Sequence, residues 1–364
     1  MIHRLVSTLC GMLSDYDETN DSDVCCLAWS GPEAKTYAIP TLLGTHPGDG
    51  QAKITSPKSS SSIFSRLYTQ SLSLGLFMSA SHPTKSTMSL CLRVTNIHDQ
   101  MDPMEQDIVR VVRRVLVDSD ADSARVAADA IDRLIRMKCI GKRGDGNAED
   151  LETFLWQLWD IVIQGAREIP HDHPLQDKLV ELVSALTEIP PVTVELWQSK
   201  TCLWTDLPLL GPSMREAWIS PTHNNSRPAS EEVVEWINLN AFAARLLNLD
   251  AISWTEFAVW ELRAALEEPC EGQALECNVV VATVWIKHAG HILYALAVNT
   301  GEDTDFLEAA NGLFYEGRSM LCLERWEFWK RRFGELSGHL EGNAYQVAFE
   351  ARKGMEAIER SHKG

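Results

Sequence analysis

The sequence predicts an all-α protein, a single domain of about eight to ten packed helices with an ordered, Trp-containing connector, preceded by an irregular N-terminal extension. Three observations predict this class. Apolar residues recur at helical spacing after residue 100, Pro and Gly stand where such runs end, and strand-type alternation is nearly absent. With 364 residues and 45% apolar content, the chain can bury a full-sized core.

Charge limits the partners that the protein can bind. Lys and Arg total 33 against 51 Asp and Glu, which gives a net charge of -18. Such a chain repels phosphate backbones and anionic lipid, so we expect neither nucleic acid nor a membrane as partner. We also expect no segment that reaches the roughly 20 apolar residues of a membrane span. The nine cysteines include no Cys-x-x-Cys pair, which favours reduced thiols and a cytoplasmic location.

Residues 1–100 form the predicted extension, and residues 101–361 form the acidic helical domain. Eleven of the twelve tryptophans lie after the extension. Its stretch 50–98 is serine-rich and has no acidic residue, a composition that favours a poorly ordered tail. A targeting segment, either a transit-type stretch or a signal peptide at the N terminus, stays open as an alternative. An artefact of gene prediction is a further alternative.

The first two helices of the domain have clear start and stop signals. Asp102 can cap a helix whose first position is Pro103, and apolar residues between Ile108 and Val115 share one face. A second helix is predicted over 123–140, and the glycine that follows ends it.

The third and fourth helices are predicted to be antiparallel neighbours. The third, over 149–169, has apolar residues at i, i+3, i+4, i+7, i+11, i+15 and i+18 from Leu151. Pro170 ends it, and Pro174 opens the fourth helix, which runs to Pro190. A tight turn with two histidines therefore joins the two helices.

Beyond the fourth helix the pattern is irregular between 191 and 219. Its tryptophans predict an ordered connector that lies across the helices and contains a short helix at 213–218. A surface loop follows at 221–228. The remaining helices are predicted over 230–247, 254–267, 273–298, 323–336 and 344–359.

Seven segments together suggest a family. They are Leu155–Asp160, Ile169–Pro174, Gln176–Val180, Asp206–Pro212, Arg215–Trp218, Asn238–Leu246 and Leu323–Phe333. As a set they resemble the recurring segments of a fungal family of uncharacterised all-helical proteins, a domain of unknown function. The resemblance covers roughly residues 105–337. It implies an all-helical intracellular domain, and it supplies no catalytic residue, no cofactor and no partner.

Four histidines are the candidate metal ligands. They are His171, His173, His288 and His291. The first two lie in the turn between the third and fourth helices, and the last two are at i, i+3 on one side of a helix. If the pairs converged, they could bind zinc together with a carboxylate. The carboxylates in question are Asp172, Asp177 and Glu181. Alternatively, Asp172 and His173 cap a helix start and His288 is a hydrogen-bonded core residue. We expect no cofactor.

Other active-site signatures are missing from the sequence. It has no Gly-x-Ser-x-Gly and no His-Glu-x-x-His, and the glycine-rich loop 141–146 lacks the Lys and Ser/Thr of a phosphate-binding loop. Cys139, Cys202 and Cys322 lie within or beside apolar segments and are interpreted as packing residues.

Two classes of function remain. The first is a non-catalytic helical module that binds another protein through its acidic outer face or its Trp-lined connector. The second is an enzyme or small-ligand-binding protein with a pocket near the connector 191–218. There His171, His173 or Asp206 would act as acid–base or metal groups. Because no known site is recognised, the sequence favours the first class.

Overall fold

The computed structural model describes residues 25–26, 37–38, 101–118, 120–140, 148–222, 229–300, 310–339 and 342–363. The chain divides into two units, residues 1–59 and 60–364. In the first unit, β1 (Cys25–Cys26) pairs antiparallel with β2 (Tyr37–Ala38). The other predictions for residues 1–100, and those for the loop 141–146, lie outside the described residues. The boundary at residue 100 stays a prediction.

The described part of the second unit contains ten α-helices, within the predicted range of eight to ten. They are α1 (Pro103–Val117), α2 (Ser123–Ile135), α3 (Ala148–Glu168), α4 (Leu175–Thr187), α5 (Leu210–Ala217), α6 (Ser230–Leu246), α7 (Thr255–Leu266), α8 (Gly272–Asn299), α9 (Leu323–His339) and α10 (Gly342–Lys363). A π-helical turn, Arg136–Ile140, continues α2. The prediction of an all-α fold is confirmed.

The start of α1 follows from its sequence. Oδ1 of Asp102 accepts hydrogen bonds from the backbone N–H groups of Met104 at 2.7 Å and Glu105 at 3.0 Å. The Glu105 carboxylate accepts the N–H of Asp102 at 3.1 Å, and Pro103 occupies the first helical position. This reciprocal arrangement satisfies donors that no carbonyl within the helix can reach.

The core is one continuous apolar cluster, and α6 lies inside it. Every side chain from Trp236 to Leu247 is buried, and α3, α4 and α8 pack against this helix. Leu155, Leu158 and Val162, which the periodicity of α3 places inward, are buried as predicted. A helix that is buried on all sides requires neighbours on all sides, so α6 organises the second unit.

The longest described helix, α8, packs against α6, α7, α9 and α10. One 18-residue window of it has a mean hydropathy of 1.4, so by length and composition this helix could cross a membrane. The expectation that no segment is long and apolar enough was therefore wrong. Within the structure, 61% of that window is buried against the rest of the protein, which is the situation of a core helix.

The connector 191–218 is more regular than predicted. It begins with an antiparallel hairpin of β3 (Val192–Leu196) and β4 (Ser199–Leu203) and continues into α5. Apolar residues alternate with polar ones along β3, and because the strand is short this signal is weak beside the helical patterns. The helix starts at Leu210, before the predicted 213, since a proline is tolerated in a first helical turn.

A buried ion pair fixes the non-helical segment 310–322 to the helices. Glu267 follows α7 and Arg325 belongs to α9; both are fully buried, with Nε and Oε1 2.7 Å apart. The same carboxylate accepts the indole N–H of Trp329 at 2.7 Å and the backbone N–H of Gly312 at 2.9 Å. These donors compensate the buried charge, which would be strongly unfavourable without them.

Candidate functional site

The turn between α3 and α4 contains two of the candidate histidines. The backbone N–H of His173 donates to the carbonyl of Pro170 at 2.9 Å. Nδ1 of His173 accepts the backbone N–H of Leu175, the first residue of α4, at 3.1 Å. Burial lowers the pKa of His173, which favours the neutral ring that an acceptor nitrogen requires. This histidine therefore caps a helix start, as one of the two interpretations expected. The other parts of that interpretation are not seen, since Asp172 makes no such contact among the described residues and His288 is half-buried with no partner for Nε2.

The second histidine of the turn, His171, lies near a histidine from a distant part of the chain. Nη2 of Arg245, in α6, donates to the carbonyl of His171 at 2.9 Å, and its Nε donates to Asp177 at 2.8 Å. Asn248 donates to the carbonyl of His288, in α8, at 3.0 Å. The structure brings His171 and His288 close enough for the charge of one to lower the pKa of the other.

Both rings of this pair are neutral near pH 7. Burial, followed by the positive charges of Arg245 and Lys287, lowers the pKa of His288 to about 3. Burial is also the main reason that the pKa of His171 is lowered. Nδ1 of His171 and Nε2 of His288 are enclosed, and neither has a hydrogen-bond partner among the described residues. The pair can therefore donate or accept hydrogen bonds, and it does not act as a cation.

The predicted metal ligands do not come together as a set. Within the described ranges, no group of three or more His, Cys, Asp or Glu side chains is placed to bind a metal ion. His291, Asp172 and Glu181 are exposed. The carboxylate of Asp177 is paired with Arg245. Two imidazoles are thus brought near each other, where a zinc site needs at least three protein ligands.

Buried amide side chains around the turn cap the C-terminal end of α3. Nε2 of Gln176 donates to the carbonyls of Ala166 and Ile169 at 2.9 and 2.8 Å. Nδ2 of Asn238 donates to the carbonyl of Arg167 at 2.7 Å. The last carbonyls of a helix have no partner within it, and the proline that follows prevents the helix from continuing. These polar groups therefore stabilise the fold at the α3 end.

The connector concentrates unfavourable backbone conformations. Within the described ranges, the non-glycine residues with positive φ are Trp197 at 50°, Gln198 at 63°, Trp204 at 69°, Leu207 at 44° and Leu209 at 67°. Each such conformation is unfavourable by roughly 1–2 kcal/mol for a residue with a Cβ atom. Trp197 and Gln198 form the two-residue turn of the hairpin, where Asn and Gly are favoured. Trp197 is also 58% exposed.

Side chains of the helices hold this connector in place. Nε1 of Trp204 donates to Oδ1 of Asp132, in α2, at 2.8 Å. Nε1 of Trp159, in α3, donates to the carbonyl of Pro208 at 2.8 Å. Asp206, the predicted acid–base candidate, is exposed, and its Oδ2 accepts the N–H of Cys202 at 2.7 Å. Strained backbone persists where the surroundings determine it in this way.

A buried carboxyl that the sequence analysis missed lies beside the connector. Glu261, in α7, is 6% exposed, and its Oε1 accepts the indole N–H of Trp218 at 3.1 Å. The ring of Trp218 stacks on Phe257 with centroids 4.2 Å apart. Burial raises the pKa of Glu261 to about 7, against the weaker opposing effect of the Trp218 hydrogen bond. The i, i+4 spacing from Phe257 was a signal in the sequence for the buried face.

The three cysteines interpreted as packing residues are free thiols. Cys139 and Cys322 are buried, and Cys202 is half-buried. Burial raises the pKa of Cys139 to about 11, so this thiol is protonated at neutral pH and is a poor nucleophile. Sγ of Cys322 lies 3.8 Å from the hydroxyl of Tyr315.

One of the comparisons with known proteins finds a match. Residues 159–333 match the family described as Protein of unknown function (DUF3632). The predicted resemblance to a domain of unknown function is confirmed, over a narrower span than 105–337. No curated protein and no solved structure matches the chain. The histidine turn, the connector and Glu261 all lie within the matched residues.

Proposed function

We propose, from the premise that residues 159–333 match the DUF3632 family, that the helical unit containing them is a non-catalytic protein-interaction module. It binds another protein through the tip of the β3–β4 hairpin, with Trp197 as the central contact. This is the Trp-lined connector that the sequence suggested as a binding surface.

The conformation of Trp197 is the observation on which the proposal rests. Its left-handed backbone is unfavourable, while its 58% exposure means that much of the indole gains nothing from packing within the chain. Asn-Gly would form the same turn without strain. Backbone strain is characteristic of functional positions, and Trp is among the residues most often found to dominate binding energy at interfaces.

The rigidity of the connector also supports this function. The indoles of Trp204 and Trp159 fix the stretch between β4 and α5 to α2 and α3. A binding element that is already held in one conformation loses little entropy when its partner binds. The hairpin can therefore present Trp197 in a defined orientation.

The test begins with capture of the partner. A photo-crosslinking amino acid at position 198, next to the exposed indole, should link the protein to a partner in cells that express it. The same amino acid at Met137, which is 78% exposed at a different place, is the control. The captured protein is then purified, and its binding to the full chain is measured by calorimetry.

The double change Trp197→Asn with Gln198→Gly separates folding from binding. It should raise the free energy of unfolding by about 1–2 kcal/mol, because it removes strain from the turn. Binding of the captured partner should weaken by at least roughly tenfold, the loss expected for an interface anchor. Met137→Asn should leave binding unchanged. A double variant that binds as tightly as the wild type would contradict the proposal.

An enzyme or small-ligand-binding protein is the second candidate function. Glu261 favours it, since a buried carboxyl with a pKa of about 7 can exchange a proton near neutral pH. A bound small molecule should then be released when the purified protein is denatured and should be detected by mass spectrometry. Its loss from Glu261→Gln, with the fold intact, would move this candidate ahead of the interaction module.

A further inference from the structure

The hairpin has two outer edges, and their backbone groups follow from its register. The turn joins Leu196 to its partner Ser199, and this closing pair is hydrogen-bonded in a two-residue hairpin. Alternate residues then direct their N–H and C=O groups away from the partner strand. On β3 these are Thr193 and Glu195, and on β4 one of them is Cys202.

The β4 edge is partly closed by the chain itself. Oδ2 of Asp206 accepts the backbone N–H of Cys202 at 2.7 Å. The backbone N–H of Asp206 donates to the carbonyl of Cys202 at 3.0 Å. Both outward groups of Cys202 are therefore used, and a strand cannot pair there without displacing Asp206.

The β3 edge differs in this respect. Among the described residues, none forms a backbone hydrogen bond with the outward N–H or C=O groups of Thr193 and Glu195. Both residues are exposed. Pro191, which has no N–H, stands at the next outward position and limits the edge to these two residues. With one donor and one acceptor each, they offer about four backbone hydrogen bonds beside Trp197.

We propose that the β3 edge binds an extended, basic segment of another protein as a third strand of the hairpin. The inference rests on the proposed function, and it specifies the class of partner. Unpaired strand edges bind extended segments through main-chain hydrogen bonds. Val192, Val194 and Leu196 pack against the core. The arriving strand therefore lies beside the exposed Thr193 and Glu195, next to the turn that contains Trp197.

Charge selects a basic segment from another protein. Glu195 is exposed on the edge itself, with Lys200 opposite it on β4. On the open side of Glu195, an opposite charge directly across the new strand pair is stabilising. The whole chain has a net charge of -18, so a second copy would be repelled. A lysine or arginine opposite Glu195 and an apolar residue against Trp197 are the expected features.

The experiment uses short random peptides displayed on phage and selected against the full chain. We expect the selected peptides to share Lys or Arg alternating with apolar residues. The tightest peptide is then measured by calorimetry against the wild type, Thr193→Pro and Thr193→Ala. Proline removes one outward N–H and is tolerated on an edge strand, whereas alanine keeps that N–H.

Thr193→Pro should weaken binding by roughly tenfold, and Thr193→Ala by less than about twofold. Independently of any variant, the peptide should slow hydrogen exchange of the Thr193 and Glu195 amides in the wild-type chain. This measurement keeps the proposal testable if proline disturbs the hairpin.

The possible failures can be told apart. If Thr193→Pro binds normally and the amides of Thr193 and Glu195 are not protected, the proposed strand addition is wrong. In that case, loss of binding in the Trp197→Asn, Gln198→Gly variant would still support the proposed function. If neither change affects binding, both proposals are wrong. Acidic selected peptides, or self-association of the chain that Thr193→Pro abolishes, would also overturn the basic third strand.

Discussion

Replacement of Glu261 by glutamine tests whether burial keeps this carboxyl protonated near neutral pH. Burial raises its pKa from 4.5 to about 7. A raised pKa means that the folded state binds the proton more tightly than the unfolded state. The stability from that proton is fully present below pH 4.5 and is lost as the pH rises through 7. At roughly 1.4 kcal/mol for each pKa unit, the loss is about 3 kcal/mol.

Glutamine keeps an oxygen that can accept the indole N–H of Trp218 and has no charge to lose. The variant should therefore gain about 2.5 kcal/mol over the wild type between pH 5 and pH 8.5. The difference in unfolding free energy between variant and wild type is measured by urea unfolding at a series of pH values, with circular dichroism as the signal. Other titrating groups contribute equally to both proteins and therefore cancel. Glu235→Gln, at an exposed position of α6, is the control. A difference between variant and wild type that does not change with pH would refute the reasoning.

Three further changes test the fold by urea unfolding. Arg325→Met leaves the charge of Glu267 buried without its partner and should lower the free energy of unfolding by about 3–5 kcal/mol; adding Glu267→Leu should restore part of that loss, and no restoration would argue against an unpaired charge as the cause. Leu155→Asp should lower the free energy of unfolding by several kcal/mol, whereas Gln164→Asp, at an exposed position of the same helix, should change it by less than about 0.5 kcal/mol. Equal effects would mean that the inward face of α3 is misassigned. His173→Ala should lower stability by about 1 kcal/mol, while His173→Asn should keep most of it; similar losses in both would exclude the capping role.

The helices could be predicted because their signals are local. Asp102 and Pro103 determine the start of α1 within a few residues, and the apolar stripe of α3 repeats over the whole helix. The β3–β4 hairpin was missed because its strands are short and its turn lacks glycine and asparagine. Elements that are stabilised by residues close in the sequence are therefore predicted better than elements that depend on tertiary packing.

The candidate site was only partly predictable for a related reason. The i, i+3 spacing of His288 and His291 places both on one side of α8, yet only His288 meets the turn that contains His171. Spacing along a helix does not say which of two residues a neighbouring element will reach. The environment of Glu261 likewise depends on Trp218, which arrives from the connector.

The match of residues 159–333 to the family begins inside α3 and ends inside α9. Helix α10 lies beyond the matched segment and packs on α8 and α9, while α1 and α2 precede it and pack on α3 and α4. A fragment trimmed to the matched residues would cut two helices and leave the apolar faces of α4 and α8 in water, so it is expected to aggregate. The matched segment is thus an inner portion of a larger folding unit, and a fragment made for expression has to retain every helix from α1 to α10.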